Sequence, residues 1–273
     1  MKRITKTIIK ANKVMRTVKK VLALATVTTL AGLVLAGCGA ESGRTFTVGF
    51  DAEFPPYGYR DESGEYTGFD LELAAEVCER NGWELVKQPI DWDSKDMELS
   101  SGSIDCIWNG FTINGREDDY TWSIPYVDSS QVIVVKTDSG IATFADLAGR
   151  PVGVQKDSSA LSALEDNAEL TDTFGELVQY ADYNTAFMDM EAGAIDAVAV
   201  DIGVAERQLA ARADIFMMLS DKLATEQYGI GFLKGNEELK DEVETALLEI
   251  VEDGIFMELA IKYGIEDSVC LGK

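Results

Sequence analysis

Residues 97–110 read MELSSGSIDCIWNG, and residues 190–201 read MEAGAIDAVAVD. Anchored on Gly102-Ser103-Ile104-Asp105 and Gly193-Ala194-Ile195-Asp196, the two stretches lie 91 residues apart (193 less 102). Each has the pattern of a helix end, a glycine stop, an Ile-Asp pair and then an apolar strand. The echo predicts two similar lobes, with strands that end at the equivalent positions Gly110 and Asp201. Ligands of open α/β sheets sit outside the carboxyl ends of strands. Residues 109–116 and 201 onward are therefore candidates for the two walls of one cleft.

The rest of the chain fits α/β layers. FTVGFD (46–51) alternates and reads as a strand, and FPPYGYRDESGEYTG (54–68) as a turn-rich loop. FDLELAAEVCERNG (69–82) is an amphipathic helix closed by Gly82, followed by the strand WELVKQPI (83–90). The second half repeats the theme with strands in RPVGVQ (150–155), ELVQYA (176–181) and IDAVAVD (195–201), and with helices between them. The end, from Asn236 to Gly264, is mostly helical.

Charge is distributed unevenly. Residues 1–37 hold eight basic side chains and no acid. The remainder keeps 24 less 8, or 16, basic side chains against 48 acidic ones. Such a body is repelled by nucleic acid and by anionic lipid. The basic start is followed by the apolar VLALATVTTLAGLVLAG (21–37), the length of a signal-peptide core. Its exit, Leu35-Ala36-Gly37-Cys38, resembles the lipobox of bacterial lipoproteins, in which the cysteine becomes the lipidated first residue of the mature chain. Residues 1–37 are read as a signal peptide and 38–45 as a lipidated tether. The expected location is the outer face of the bacterial cytoplasmic membrane, anchored through Cys38.

Three further cysteines, Cys78, Cys106 and Cys270, leave at least one thiol without an internal partner. Cys78 shares a helical face with Leu71 and Ala74 and reads as a small core residue. The chain has no histidine, which excludes histidine metal ligands and histidine general bases. No cofactor or metal motif is present.

The motifs FPPYGY (54–59), GFDLELA (68–74), GSIDCIWNGFT (102–112), WSIPYVDSSQVIVV (122–135), DLAGRPVGVQ (146–155), GAIDAVAVD (193–201), EQYGIGFLKGNEEL (226–239) and DGIFMELAIKYG (253–264) occur in one order. In that order the chain from about 46 to 264 resembles the bacterial extracellular solute-binding proteins of family 3, the polar amino-acid receptors of ABC importers. The resemblance implies a type II periplasmic-binding-protein-like fold. Two α/β lobes, joined by two crossover strands, would enclose the ligand by hinge closure. Lobe 1 would be 46–134 plus 227–273 and lobe 2 would be 135–226, with crossings near Val134–Lys136 and Thr225–Gly229.

The resemblance also implies a set of ligand-binding residues. Arg116 would hold the ligand carboxylate, since its planar fork donates paired hydrogen bonds. Thr112, Ser158 and Ser159 would assist it, the serines at a helix start that favours an anion. Asp201 would bind the ammonium beside the Gly110 carbonyl, and a spare oxygen could cap the following helix. Phe54 would stack on the aliphatic part. Asp51, Asn109 and Gln155 would read the side chain, Asp51 favouring a polar ligand, with Trp92 and Trp108 as further lining candidates. One departure stands out: Asn114-Gly115-Arg116 is a residue shorter than the family's usual Thr-to-Arg spacing. The partners implied are an amino acid, an ABC permease and indirectly its ATPase, with the chain itself a monomer. A dehydratase and a ligand-sensing receptor are alternatives on the same fold, and no catalytic residues are assigned.

Overall fold

The computed structural model describes residues 43–273. The expected signal peptide, Cys38 and most of the tether lie outside the described residues. Twelve strands run in chain order among the described residues: β1 (Thr45–Phe50), β2 (Glu53–Phe54), β3 (Gly58–Arg60), β4 (Tyr66–Thr67), β5 (Glu84–Pro89), β6 (Cys106–Thr112), β7 (Thr121–Trp122), β8 (Val127–Lys136), β9 (Pro151–Gln155), β10 (Glu176–Tyr180), β11 (Ala197–Asp201) and β12 (Phe216–Phe232). Eight of them form one path, β10-β9-β11-β8-β12-β6-β1-β5, and β7 pairs with β12. Strands β2 to β4 form a small antiparallel sheet within the stretch expected to be a turn-rich loop. Two- and three-residue strands leave no periodic signature in a sequence, which is why that sheet was not foreseen.

On each side of the β8–β12 pair lies an α/β unit with parallel strands, as the echo predicts. β1 pairs in parallel with β5 and β6, and β9 pairs in parallel with β10 and β11. Phe46, Val48, Phe50, Cys106 and Trp108 pack with helices Phe69–Asn81, Glu237–Glu252 and Ile255–Tyr263. The opposite sheet face buries Ile104, Ile107 and Phe111. In the other unit Val198 and Val200 face one cluster, while Val152, Val154, Ala197 and Ala199 face another. The alternation follows from the two-residue period of a strand.

The echoed residues perform the same job twice. The Gly102 and Gly193 backbones close the helices Lys95–Ser101 and Tyr183–Ala192 in left-handed conformations. Ile104 then packs so tightly on Gly49 of β1 that an added Cβ would sit 2.4 Å from its Cδ1. Ile195 packs on Gly153 of β9 in the same way, at 2.5 Å. Asp105 donates its N–H to the Thr47 carbonyl at 2.8 Å and accepts the Thr47 N–H at 2.7 Å. Asp196 donates to the Pro151 carbonyl at 2.9 Å, but Pro151 has no N–H to return, and Asp196 lies 3.5 Å from Arg150 instead.

Both long strands change company part-way. Along β8, Val127 belongs to the first core, whereas Val132, Ile133, Val134 and Val135 belong to the second. Along β12, Phe216 and Leu219 pack in the second core and Tyr228, Ile230 and Phe232 in the first. On β8 the change therefore falls between Val127 and Val132, earlier than the expected Val134–Lys136. A β-branched run such as VIVV suits either core, so its composition marks no border. Among the described residues no helix is long and apolar enough to cross a membrane. Cys78 and Cys106 are buried free thiols, and Cys270 is half-buried and free.

The contact between Gly49 and Ile104 makes a quantitative prediction. Gly49→Ala should cost about 1–3 kcal/mol of stability through overpacking. Ile104→Val removes the blocking Cδ1, so the double variant should recover more than 0.5 kcal/mol relative to additivity. Urea denaturation of the four proteins measures it, and strict additivity would refute the contact.

Candidate functional site

A cavity of about 320 Å³ lies between the two units. Its lining includes Phe54, Trp92, Asn109, Gly110 and Thr112 from the first unit, and Gln155, Ser158, Ser159, Tyr183 and Asp201 from the second. Gln131 of β8 joins them. Thus nine of the twelve ligand-binding candidates from the sequence share one cavity.

The other three sit elsewhere. Trp108 is fully buried in the first core, on the same face of β6 as Cys106. Asp51 flanks the cavity and lines an outer groove with Glu53, Asp91 and Asp182. Its carboxylate accepts the Glu53 N–H at 2.8 Å and the Gln155 side-chain N–H at 2.7 Å, the latter from the opposite unit. Burial pushes the Asp51 pKa up to about 6 against the pull of those hydrogen bonds. Arg116 lines a neighbouring groove with Thr112, Ser159 and Glu226. Despite the short loop, its Nη1 donates to Ser159 Oγ at 2.8 Å, and its guanidinium lies 5.4 Å from the Phe111 ring centre. Glu117, Asp118 and Asp119, which follow it, are exposed.

Local structure explains the placement of the rest. Ser158 caps the helix Ser159–Asp166, accepting the Leu161 N–H at 3.2 Å and donating to the Gln155 carbonyl at 2.8 Å. Asp201 caps the helix Ile202–Ala211 with one oxygen, Oδ1, which accepts the Gly203 N–H at 2.8 Å. Its other oxygen accepts the Ser129 hydroxyl at 2.9 Å. Asn109 accepts the Asp51 N–H at 2.9 Å, and its side-chain N–H group finds no partner. Phe54 lies 6.2 Å from the Tyr183 ring, so aromatic faces from both units meet at the cavity.

Three residues of the site were not singled out from the sequence: Gln131, Tyr183 and Glu226. Glu226 is 6% exposed and accepts from Thr112 Oγ1 at 3.0 Å and Gln131 Nε2 at 2.6 Å. It also contacts Asp201, whose carboxyl is held well above the usual range first by burial and then by the Glu226 charge. Burial raises Glu226 too. Gln131 and Glu226 come from the two shared strands, and only the three-dimensional crossing brings them to the ends of β6 and β11.

Two α/β units sharing two long strands, with a polar cavity between them, define a two-lobed binding protein of the type II periplasmic class. The model of the bacterial extracellular solute-binding proteins, family 3, matches residues 46–266, and the chain belongs to that family. It is 31% identical to the L-cystine-binding protein TcyJ of Escherichia coli (strain K12), over 80% of this chain and 82% of that one. It is 29% identical to the arginine-binding extracellular protein ArtP of Bacillus subtilis (strain 168), over 82% and 88%. A crystal structure of an ABC uptake transporter substrate-binding protein from Streptococcus pneumoniae with bound histidine superposes with a TM-score of 0.79. That protein is 35% identical, and the match covers 82% of this chain and 94% of that one.

Behind the cavity, Asp70 braces Gly110. The Gly110 N–H donates to Asp70 Oδ2 at 2.6 Å, and the Tyr126 hydroxyl donates to the same oxygen at 2.9 Å. Gly110 itself has φ +55°, and a Cβ there would press on Phe54, Tyr57 and Tyr228 at 3.0–3.1 Å. The Trp108 indole N–H lies near the same carboxyl without a hydrogen bond of normal geometry, and Asp70 Oδ1 has no partner. Complete burial pushes the Asp70 pKa up to about 7. A raised carboxyl favours the folded state below its unfolded pKa, and that contribution is lost as pH rises through about 7. Asp70→Asn should therefore gain on the wild type between pH 5 and pH 9, by roughly 3 kcal/mol. Chemical denaturation across that range tests it, and parallel stability curves would contradict it.

Proposed function

We propose that this protein binds an amino acid outside the cytoplasm and delivers it to an ABC permease. The observation that carries the reading is the charge layout at the cleft. The Arg116 guanidinium meets Ser159 at a helix start, and the buried Asp201 carboxylate stands at the end of β11. An α-amino acid has a carboxylate and an ammonium a few ångströms apart, and each must meet opposite charge to be buried. Arg116, Thr112, Ser158 and Ser159 take the carboxylate. Asp201 and the Gly110 carbonyl take the ammonium. Phe54 and Trp92 flank the aliphatic part, and Asn109, Gln155 and Asp51 read its end. The relatives named for cystine and arginine and the structure holding histidine support an amino-acid ligand, and all three are binding proteins.

The lobes are taken as 46–134 plus 227–273 and 135–226, with the passage on β8 moved back to the polar stretch between Val127 and Val132, where the cores change. A ligand that touches both lobes favours the closed arrangement, because only there are all its contacts made. Anchoring through a lipid on Cys38 fits an extracellular family whose members hand cargo to a membrane complex. Cys38→Ala should release the protein from the membrane fraction into the surrounding fluid, which fractionation and immunoblotting would detect; unchanged membrane retention would overturn the anchor.

The binding reading is tested by a thermal-shift screen of the purified mature domain against the standard amino acids and cystine. A hit at about 100 times its dissociation constant should add roughly 2.7 kcal/mol of stability. Arg116→Ala should then weaken that hit by about 2–5 kcal/mol in calorimetry, because the buried ligand carboxylate loses its partner. No hit, or unchanged affinity in the variant, would overturn the assignment.

A further inference from the structure

Two carboxyl groups, Asp201 at 1% exposure and Glu226 at 6%, meet at one end of the cleft. Among the described residues no lysine or arginine pairs with either. The charged and titratable groups around them are few. Arg116 acts on Glu226 only through space. Lys222, also on β12, donates to Ser130 Oγ at 2.8 Å. Tyr57 and Tyr183 stay protonated phenols, pushed up by burial and by these acids. Glu206 feels Lys222 and shares in the field on Tyr57. Two buried carboxylates in contact cannot both ionise cheaply, so the pair favours one proton held between them.

A further polar atom points to what belongs there. Gln131 lines the cavity at 3% exposure, and while its N–H group donates to Glu226, its Oε1 acceptor has no partner. An ammonium carries three N–H donors and no acceptor. Asp201 and the Gln131 carbonyl oxygen are acceptors lining one end of the cavity, and Glu226, in the adjoining grooves, meets them there through Thr112, Gln131 and Asp201.

We propose that Glu226 is a second carboxylate of the ammonium site, and that an incoming ammonium takes the place of the proton shared by Glu226 and Asp201. This rests on the amino-acid reading above. The exchange balances: the pair has a net charge of −1 with its proton, and the ionised pair with one ammonium also totals −1, the proton leaving to solvent. The strand that carries Glu226 is shared by both lobes. Glu226 contacts Thr112 at the end of β6 and Asp201 at the end of β11, so it stands where the two lobes meet. Once the pair is ionised the two carboxylates repel each other, and the ammonium offsets that repulsion.

Calorimetry of the wild type with L-arginine, L-histidine, L-glutamine and L-cystine tests this, run between pH 5 and 8 in buffers of different ionisation heat. For whichever of the four binds, close to one proton should be released per molecule on the acid side of the range, and affinity should rise with pH. Glu226→Gln keeps the shape of the site and should weaken binding about tenfold or more at pH 7.5, while cutting the proton release to less than half. Burial raises Asp51 to about 6 and Asp70 to about 7, but neither contacts the pair, so the difference between wild type and variant isolates it. A wild type that binds without releasing a proton overturns the proposal, whether or not the variant folds. If neither these four nor any other amino acid of the thermal-shift screen binds, the amino-acid reading fails separately. Carbon-13 titration of the free protein, with the Asp201 and Glu226 signals assigned by substitution, then decides on the pair: one of these two carboxyls well above the ordinary range supports it, and both ordinary overturns it.

Discussion

Strands β8 and β12 are hydrogen bonded to each other from Val127–Tyr228 to Lys136–Phe216, and both lobes are built on them. That sharing constrains everything else. The backbone of a buried strand must stay paired, so the ladder continues through the crossing even though neither apolar core reaches it. The side chains there must then satisfy one another. Ser129, Ser130, Gln131 and Glu226 are buried and polar, and each has a hydrogen-bonding partner drawn from the crossing or from the strand ends beside it. The floor of the cleft is thus polar because two lobes share two strands.

The repeat around Gly102 and Gly193 was legible because its parts are local: a helix stop, a small gap and a strand. Its steric reason was not, since the opposing Gly49 and Gly153 lie far away in the chain. Within β6 the period of two told that residues alternate, but not which set faces the cleft. Cys106 and Trp108 turned to the helices, and Ile107 to the other face. The left-handed Gly110 then breaks the alternation, and Asn109, Gly110 and Thr112 all line the cavity. Family resemblance supplied Arg116 and Asp201. Glu226 stayed hidden inside the motif EQYGIGFLKGNEEL, because its importance comes from burial against Asp201, which no spacing rule expresses.

Asp201 illustrates how one side chain serves two ends. Capping a helix and facing a ligand compete only if they need the same oxygen. Here the capping bond uses Oδ1, and Oδ2 turns to Ser129. The short loop before Arg116 likewise leaves the guanidinium within reach of Ser159. Local economy in the backbone and long-range chemistry are reconciled by the geometry of single atoms.

The buried thiols carry a consequence for the reactivity of the folded chain. Burial pushes Cys78 up to about 11 and Cys106 higher still, so the reactive thiolate is scarce at neutral pH. A family that works outside the cytoplasm meets oxidants, yet these two sulfurs behave as small apolar fillers. In the folded protein these two sulfurs are therefore shielded from thiol–disulfide exchange. Among the described residues, half-buried Cys270 is the sulfur open to a maleimide dye, near the C-terminus and away from the cleft lining.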